Sequence, residues 1–395
     1  MSAPEPPAPP ARAASVDAYR GFVMFLMMAE VFRLSALAKA FPDSGFWEFL
    51  AFHQSHVPWR GCSLHDLIQP SFSFLVGVAV PFSLAARRAK GQGGPRAWLH
   101  ALRRAALLVL LGVFLRSVGQ KQTNWTFVDT LSQIGLGYAF LFALGHAKPV
   151  WQRVAVGGIL VAYWLAFALY PLPPEGFDYA KVSDLKPHER PTGFAAHWDK
   201  NTNAGSAFET WFMNLFPREK PFGTNSGGYV TLNFVPTLAT MLLGLLAGNV
   251  LRGPGTAWAK VKHFVLVGAA LLAFGLALDA AGVCPSVKRI WTPAWVLFSG
   301  GCCFLLLAGF VAVLDTGAKG RWALPLLVIG ANSIAAYCLA HLLPGFIRDT
   351  AKTHFGANVF AQFGPYEHLA SGADVFLALW LILFWMWQRK IFVKV

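Results

Sequence analysis

An all-α, polytopic membrane helix bundle of about ten spanning helices, with both termini cytoplasmic, is what this chain predicts, on three observations. Of 395 residues, 55% are hydrophobic and only 13% charged, about half the charged share of an ordinary soluble domain. Apolar stretches of about twenty residues, the length that crosses a bilayer core, recur along the whole chain. Lysines and arginines gather in short hydrophilic breaks that alternate with acidic or balanced ones, which is the positive-inside pattern. That pattern also accounts for the net charge of +14, so the basicity calls for no nucleic acid.

The elements follow in order. Residues 1–14 are rich in Pro and Ala and predict a disordered N-terminal tail. Residues 15–395 form the transmembrane domain, with spans near 20–40, 64–86, 98–118, 128–146, 151–170, 231–250, 262–281, 294–315, 322–343 and 371–388. No cleavage site follows the first span, which therefore reads as a retained helix. Basic clusters follow every second span: Arg87, Arg88, Lys90 and Arg96, then Lys148 and Arg153, then Arg252, Lys260 and Lys262, then Lys319 and Arg321, and finally Arg389, Lys390 and Lys394. An even count returns the basic C-terminus to the side of the N-terminus. GQGG at 91–94 follows a span rather than a strand, so it reads as a basic turn and not a phosphate loop. Residues 171–230 form the longest loop, extracytoplasmic in this topology and too long for a plain connector. No internal repeat is evident, against an inverted-repeat carrier.

Ionisable groups inside spans are costly and need a reason. Arg116, Asp129, Asp279 and Asp374 lie near span ends, where water is expected to reach them. Glu30 and Asp66, on consecutive spans, are harder to dismiss. Asp66 lies in HQSHVPWRGCSLHDLIQPSFSFLVG (53–77), a stretch that concentrates three histidines, an arginine and an aspartate at the mouth of an apolar run. Two arrangements fit these residues. The Pro58–Gly61 turn folds the loop back so that His56 meets Asp66, the support a general base needs. Alternatively, His56 is solvated and Asp66 merely favours its helix N-terminus. His53, His56 and His65 lack the Cys/His spacing of a zinc site, so no metal is expected. Trp59 suits an interfacial anchor. Of the five cysteines, Cys302, Cys303 and Cys338 lie in spans, while Cys62 and Cys284 share the outer side and leave a disulfide open.

SVDAYRGFVMFLMMAE (15–30), the His-x-x-Trp-x-Gly turn at 56–61, the Asp66–Leu67 pair and PSFSFLVG (70–77) together resemble the signature of the heparan-α-glucosaminide N-acetyltransferase family. LSQIGLGYAF (131–140), TLATMLLGLLAG (237–248), RIWTPAWVLFSGG (289–301), IGANSIAAYCLAHLL (329–343) and the closing WQRKIFVKV continue the resemblance in the same order. The similarity is to bacterial members lacking a large luminal domain. Departures are Glu30 where the family often has Asn, Arg60 for the Asn of the turn, and Ser132–Gln133 for a Gln–Arg pair.

The resemblance implies an acyltransferase that carries acetyl from cytoplasmic acetyl-CoA to an extracytoplasmic amino sugar or glycan. His56 would be its catalytic base or transient acetyl carrier, with Asp66 beside it. Substrate and acetyl-CoA contacts would come from Asp17, Arg20, Glu30, Trp59, Gln133, Asn332, Ser333 and His341. Phosphate contacts would draw on Arg20, Arg87, Arg88 or Lys390. Acetyl-CoA enters as donor substrate, with no metal and no nucleic acid. Lipid is the surrounding partner, a homodimer is compatible with it, and a bacterial inner membrane is the implied location. Two other functions stay open: a proton-coupled carrier using Glu30 and Asp66 as relay, and an enzyme O-acylating a cell-envelope glycan.

Overall fold

The computed structural model describes residues 14–91, 94–317 and 320–393. The expected tail therefore lies outside the described residues except for Ala14. The described chain is helical, with one isolated antiparallel bridge, Arg60 to Val287. In order come α1 (Ala14–Met28), α2 (Leu34–Ala40), α3 (Gly45–His53), α4 (Ile68–Ala89) and α5 (Pro95–Ser117). There follow α6 (Thr130–Leu144), α7 (Pro149–Ala168), α8 (Ala204–Met213), α9 (Phe234–Arg252) and α10 (Ala257–Ala280). The last are α11 (Pro293–Leu314), α12 (Leu324–Ala331), α13 (Ser333–Leu342), α14 (Pro344–Phe355) and α15 (Glu367–Gln388).

Seven helices are long and apolar enough to cross a membrane, and two bent pairs pass the same test together. The chain is a polytopic helical membrane bundle. Each predicted span falls on one of these elements or on α6, which has only 15 residues. Two spans expected as continuous are broken. In the first, a 3₁₀ turn (Ala29–Phe32) ends at Arg33, whose φ of 50° stops the α1 helix, and α2 leaves at 45°. In the ninth, Asn332 leaves helical geometry and α12 meets α13 at 84°. Polar side chains compensate both breaks, and apolar periodicity does not reveal them. Helices α3 and α14 were not anticipated.

The chain divides into two compact units. The first comprises α1–α3, residues 62–69, the end of α11 from Gly309 and α12–α15. Here α1 crosses α12 at a reciprocal glycine contact: a Cβ on Gly21 would stand 1.8 Å from the Leu326 carbonyl oxygen, and one on Gly330 2.0 Å from that of Asp17. Lipid offers helices little hydrophobic reason to associate, so such close backbone approach supplies the packing. Ser15 binds Asp315, and Tyr19 stacks on Phe310.

The second unit comprises residues 58–61 and 70–308, with α5 to α10, most of α4 and α11 up to Ala308. Its α4–α9 crossing repeats the device, with Gly77 against the Met241 carbonyl at 1.8 Å and Gly244 against that of Phe74 at 1.9 Å. The 171–230 segment is folded, with α8 and three 3₁₀ turns, and its Trp198 shares a buried cluster with Tyr163 and Phe167 of α7. Lys200, almost wholly buried, pairs with Asp184, whose carboxyl it holds below the ordinary range. Arg190 forks onto Asp199 at 2.6 and 2.9 Å and lies over the Tyr179 ring. Buried Glu209 accepts from the Thr231 N–H at 2.5 Å, and burial raises its carboxyl above the usual range.

Two boundary aspartates depart from expectation. Asp129 does not reach water: it is buried as the N-cap of α6, accepting from the Leu131 and Ser132 N–H groups, because capping replaces hydration. Asp374 keeps one carboxylate oxygen buried without a partner. The five cysteines are free thiols. Burial pushes the Cys284 thiol up to about 12, while Cys62 donates to the Ser63 carbonyl.

Candidate functional site

The loop after α3 brings His56 and Asp66 together in the first unit: Nδ1 lies 2.8 Å from Oδ1. Asp66 is held from three sides. Its Oδ2 accepts from the backbone N–H groups of Val57 at 3.2 Å and Ser63 at 3.1 Å. The Ser63 hydroxyl accepts from the Asp66 N–H at 3.3 Å and donates to the Ser55 carbonyl at 2.5 Å, so the turn is closed on itself. His53 adds a further tie by accepting the Leu64 N–H at 3.1 Å.

These bonds have an electrostatic consequence. A carboxylate taking two backbone donors is stabilised as the anion, so Nδ1 of His56 is the donor and the neutral ring carries its lone pair on Nε2. Asp66 is 1% exposed and His56 38%. The orienting carboxylate is thus dry while the imidazole is open to an incoming molecule.

A second carboxylate–imidazole pair faces the first. His65, largely buried at the entry to α4, places Nε2 3.2 Å from Glu30 Oε1, and its ring centroid is 4.5 Å from that of His56. Two imidazolium charges at that distance would repel by roughly 1 kcal/mol at the dielectric of water and about 4 at an effective 20. His56, His65 and His341 all act electrostatically on Glu30. His341 is fixed by its Nδ1 to the Tyr337 carbonyl at 2.8 Å and by stacking on Tyr337.

Glu30 owes its position to the broken first span. The carboxamide of Gln54 donates to the Ala29 carbonyl and accepts the Leu34 N–H, both at 2.7 Å, satisfying backbone groups that the break leaves without helical partners. The 3₁₀ turn so held carries Glu30 toward His65. His65 and Gln54 are the residues missed as site members. Sequence offered His65 only as an unlikely metal ligand, and Gln54 gave no signal. Among the described residues no group of three or more His, Cys, Asp or Glu is arranged for a metal.

The other candidates fall elsewhere. Asp17 and Arg20 form an ion pair at 3.0 Å near the start of α1, which at 1.5 Å per residue is about 15–20 Å along the helix axis from Glu30. Asn332 belongs to that end, since α12 packs on α1 through Gly330 and Asp17. Its side chain donates to the Ile391 carbonyl at 2.8 Å and accepts the Val393 N–H at 3.0 Å, tying the C-terminal segment down. Ser333 opens α13. Trp59 and Gln133 lie in the second unit, both buried. The Trp59 indole N–H donates to the Trp198 carbonyl, and Gln133 donates to the carbonyls of Phe127 and Thr231. In that unit the Arg60 charge is met by Asp279 at 2.8 Å.

No protein-family model matches the chain. Among curated proteins it is similar to heparan-alpha-glucosaminide N-acetyltransferase of Homo sapiens, at 23% identity over 98% of this chain and 60% of the human protein. The mouse protein of the same name matches at 22% identity over 96% of this chain and 60% of its own length. The chain thus spans about three-fifths of the length of these curated relatives.

Proposed function

We propose, for a chain that belongs to the heparan-alpha-glucosaminide N-acetyltransferase family, a membrane-embedded acetyltransferase that moves acetyl from acetyl-CoA to an amino sugar or a terminal glucosamine of a glycan. The observation that carries this reading is the His56–Asp66 pair, with a dry carboxylate orienting an accessible imidazole. In the reaction the acceptor nitrogen attacks the thioester carbonyl carbon as the C–S bond breaks. His56 Nε2 takes the proton from that nitrogen and passes it to the departing CoA sulfur, leaving amide and free thiol. Asp66 steadies the imidazolium in between. The His65–Glu30 pair provides a neighbouring store for the proton.

The donor is proposed to lie along α1, with its phosphates toward Arg20 and the tethered C-terminal segment and its thioester toward His56. A bacterial cytoplasmic membrane, with donor inside and acceptor outside, is the setting this reading takes.

Purified protein in nanodiscs is the test, with acetyl-CoA and a panel of amino sugars and glycan fragments supplied. CoA release that depends on acceptor, with an N-acetylated product by mass spectrometry, is expected. CoA release with an O-acetylated product would shift the acceptor to a hydroxyl. No CoA release with any acceptor, alongside solute uptake in proteoliposomes, would replace the enzyme by a carrier. Label from radioactive acetyl-CoA retained on the protein without acceptor, and lost in His56→Ala, would make His56 an acetyl carrier rather than a base.

A further inference from the structure

A cavity of about 290 Å³ opens in the second unit at the ends of three of its helices. Arg87 and Arg88 line it from the last turn of α4, Trp98 from the first turn of α5, Phe142 from the end of α6 and His146 from just beyond it. Leu84 lines it as well. Its volume is at the lower edge of small-molecule sites, about 300 Å³ and upward, enough for a headgroup.

Its chemistry is that of a phosphate site. Neither Arg87 nor Arg88 makes an ion pair with an acid among the described residues, and a guanidinium fork suits the paired oxygens of a phosphate. His146 has Nδ1 at 2.9 Å from the Phe142 carbonyl. A carbonyl only accepts, so Nδ1 carries the hydrogen and Nε2 can receive one from a ligand hydroxyl or, when protonated, donate to an anion. The apolar wall is held in place by the edge-to-face contact of Trp98 and Phe142 at 5.1 Å.

The surroundings favour a ligand with acyl chains. Helix α5 leaves Trp98, Leu99 and Leu102 exposed by 41, 69 and 51% next to the cavity, and little of this helix is buried in the protein. A tryptophan at the end of a lipid-facing helix marks the interfacial layer, where phospholipid phosphates lie. Arginine pockets between spanning helices at this depth recognise anionic headgroups.

We propose that this cavity holds the phosphate-bearing headgroup of an anionic phospholipid, with the acyl chains running down the exposed face of α5. The site is distinct from the His56 cluster and does not rest on the acetyltransferase reading. The same cationic chemistry would accept a soluble phosphoester, so the test separates the two sources.

Native mass spectrometry of detergent-purified protein incubated with equal amounts of phosphatidylglycerol and phosphatidylcholine reads the site directly. Phosphatidylglycerol adducts are expected to exceed phosphatidylcholine adducts about ten-fold. The Arg87→Gln/Arg88→Gln double variant should bring the two to parity. Arg96→Gln/Arg103→Gln, which removes the same charge from exposed α5 positions outside the cavity, should keep the preference and so controls for general electrostatics. Equal retention of both lipids by the unaltered protein, or equal loss of preference in the two double variants, overturns the proposal. Displacement of phosphatidylglycerol by micromolar adenosine 3′,5′-bisphosphate would reassign the cavity to a soluble phosphoester and overturn the lipid assignment.

Discussion

His56 and His65 differ in accessibility, and that difference sets what each substitution does. His56→Ala removes the only proposed base open to substrate, so acetyl transfer should fall by about 100-fold or more, with the detergent-solubilised protein eluting unchanged on size exclusion. Turnover near that of the unaltered protein would refute the assignment. Asp66→Asn keeps the size of the side chain but loses the anion that fixes the tautomer. Activity should drop nearly as far while His56 remains in place. His65→Gln leaves the His56–Asp66 pair intact and removes only the second ring. About ten-fold loss of turnover is expected, and turnover equal to that of the unaltered protein would remove His65 from the site.

At the scale of elements, the bundle depends on where backbones touch and where helices are allowed to break. Gly244→Ala would drive a methyl group into the Phe74 carbonyl, 1.9 Å from the added carbon, and α9 could not stay on α4. Loss of on the order of 1–3 kcal/mol or more is expected, read as a lower midpoint of thermal unfolding in detergent. Gly309→Ala, where a Cβ meets nothing within 4 Å, should leave that midpoint unchanged. Asn332 shows the opposite device, a break that recruits a distant segment. Asn332→Ala should raise hydrogen exchange at Val393 by removing the acceptor of its N–H. Unchanged exchange there would show the segment to be held by other contacts.

At the scale of the whole molecule, the folded 171–230 segment gives stability a pH dependence of two signs. Asp184 is held below the ordinary carboxyl range by Lys200. Its contribution is present above the unfolded value of about 4 and is lost as pH falls through the lower folded value. Glu209 is raised by burial, so the folded state holds its proton more tightly. Its ionisation therefore costs stability as pH rises from about 4.3 through the raised value. Glu209→Gln should abolish that decline above pH 4.3 while leaving the acid loss due to Asp184. An identical stability profile in the variant would remove Glu209 from the account.

Apolar run length and the placement of lysines and arginines were enough, from sequence alone, to establish a helical multi-pass membrane protein and the position of each apolar segment, because bilayer thickness and backbone hydrogen bonding leave few other solutions. The ten-residue spacing of His56 and Asp66 across a turn left two arrangements open. Tertiary structure decided between them, through the backbone N–H groups of Val57 and Ser63, which hold the carboxylate where the imidazole reaches it, and through the Ser55 carbonyl, which anchors the Ser63 hydroxyl. The breaks at Arg33 and Asn332, the Gln54 clamp and the His65–Glu30 pair were also its decisions. These rest on single polar groups finding partners far away in the chain, a matter of three-dimensional proximity that no local pattern encodes.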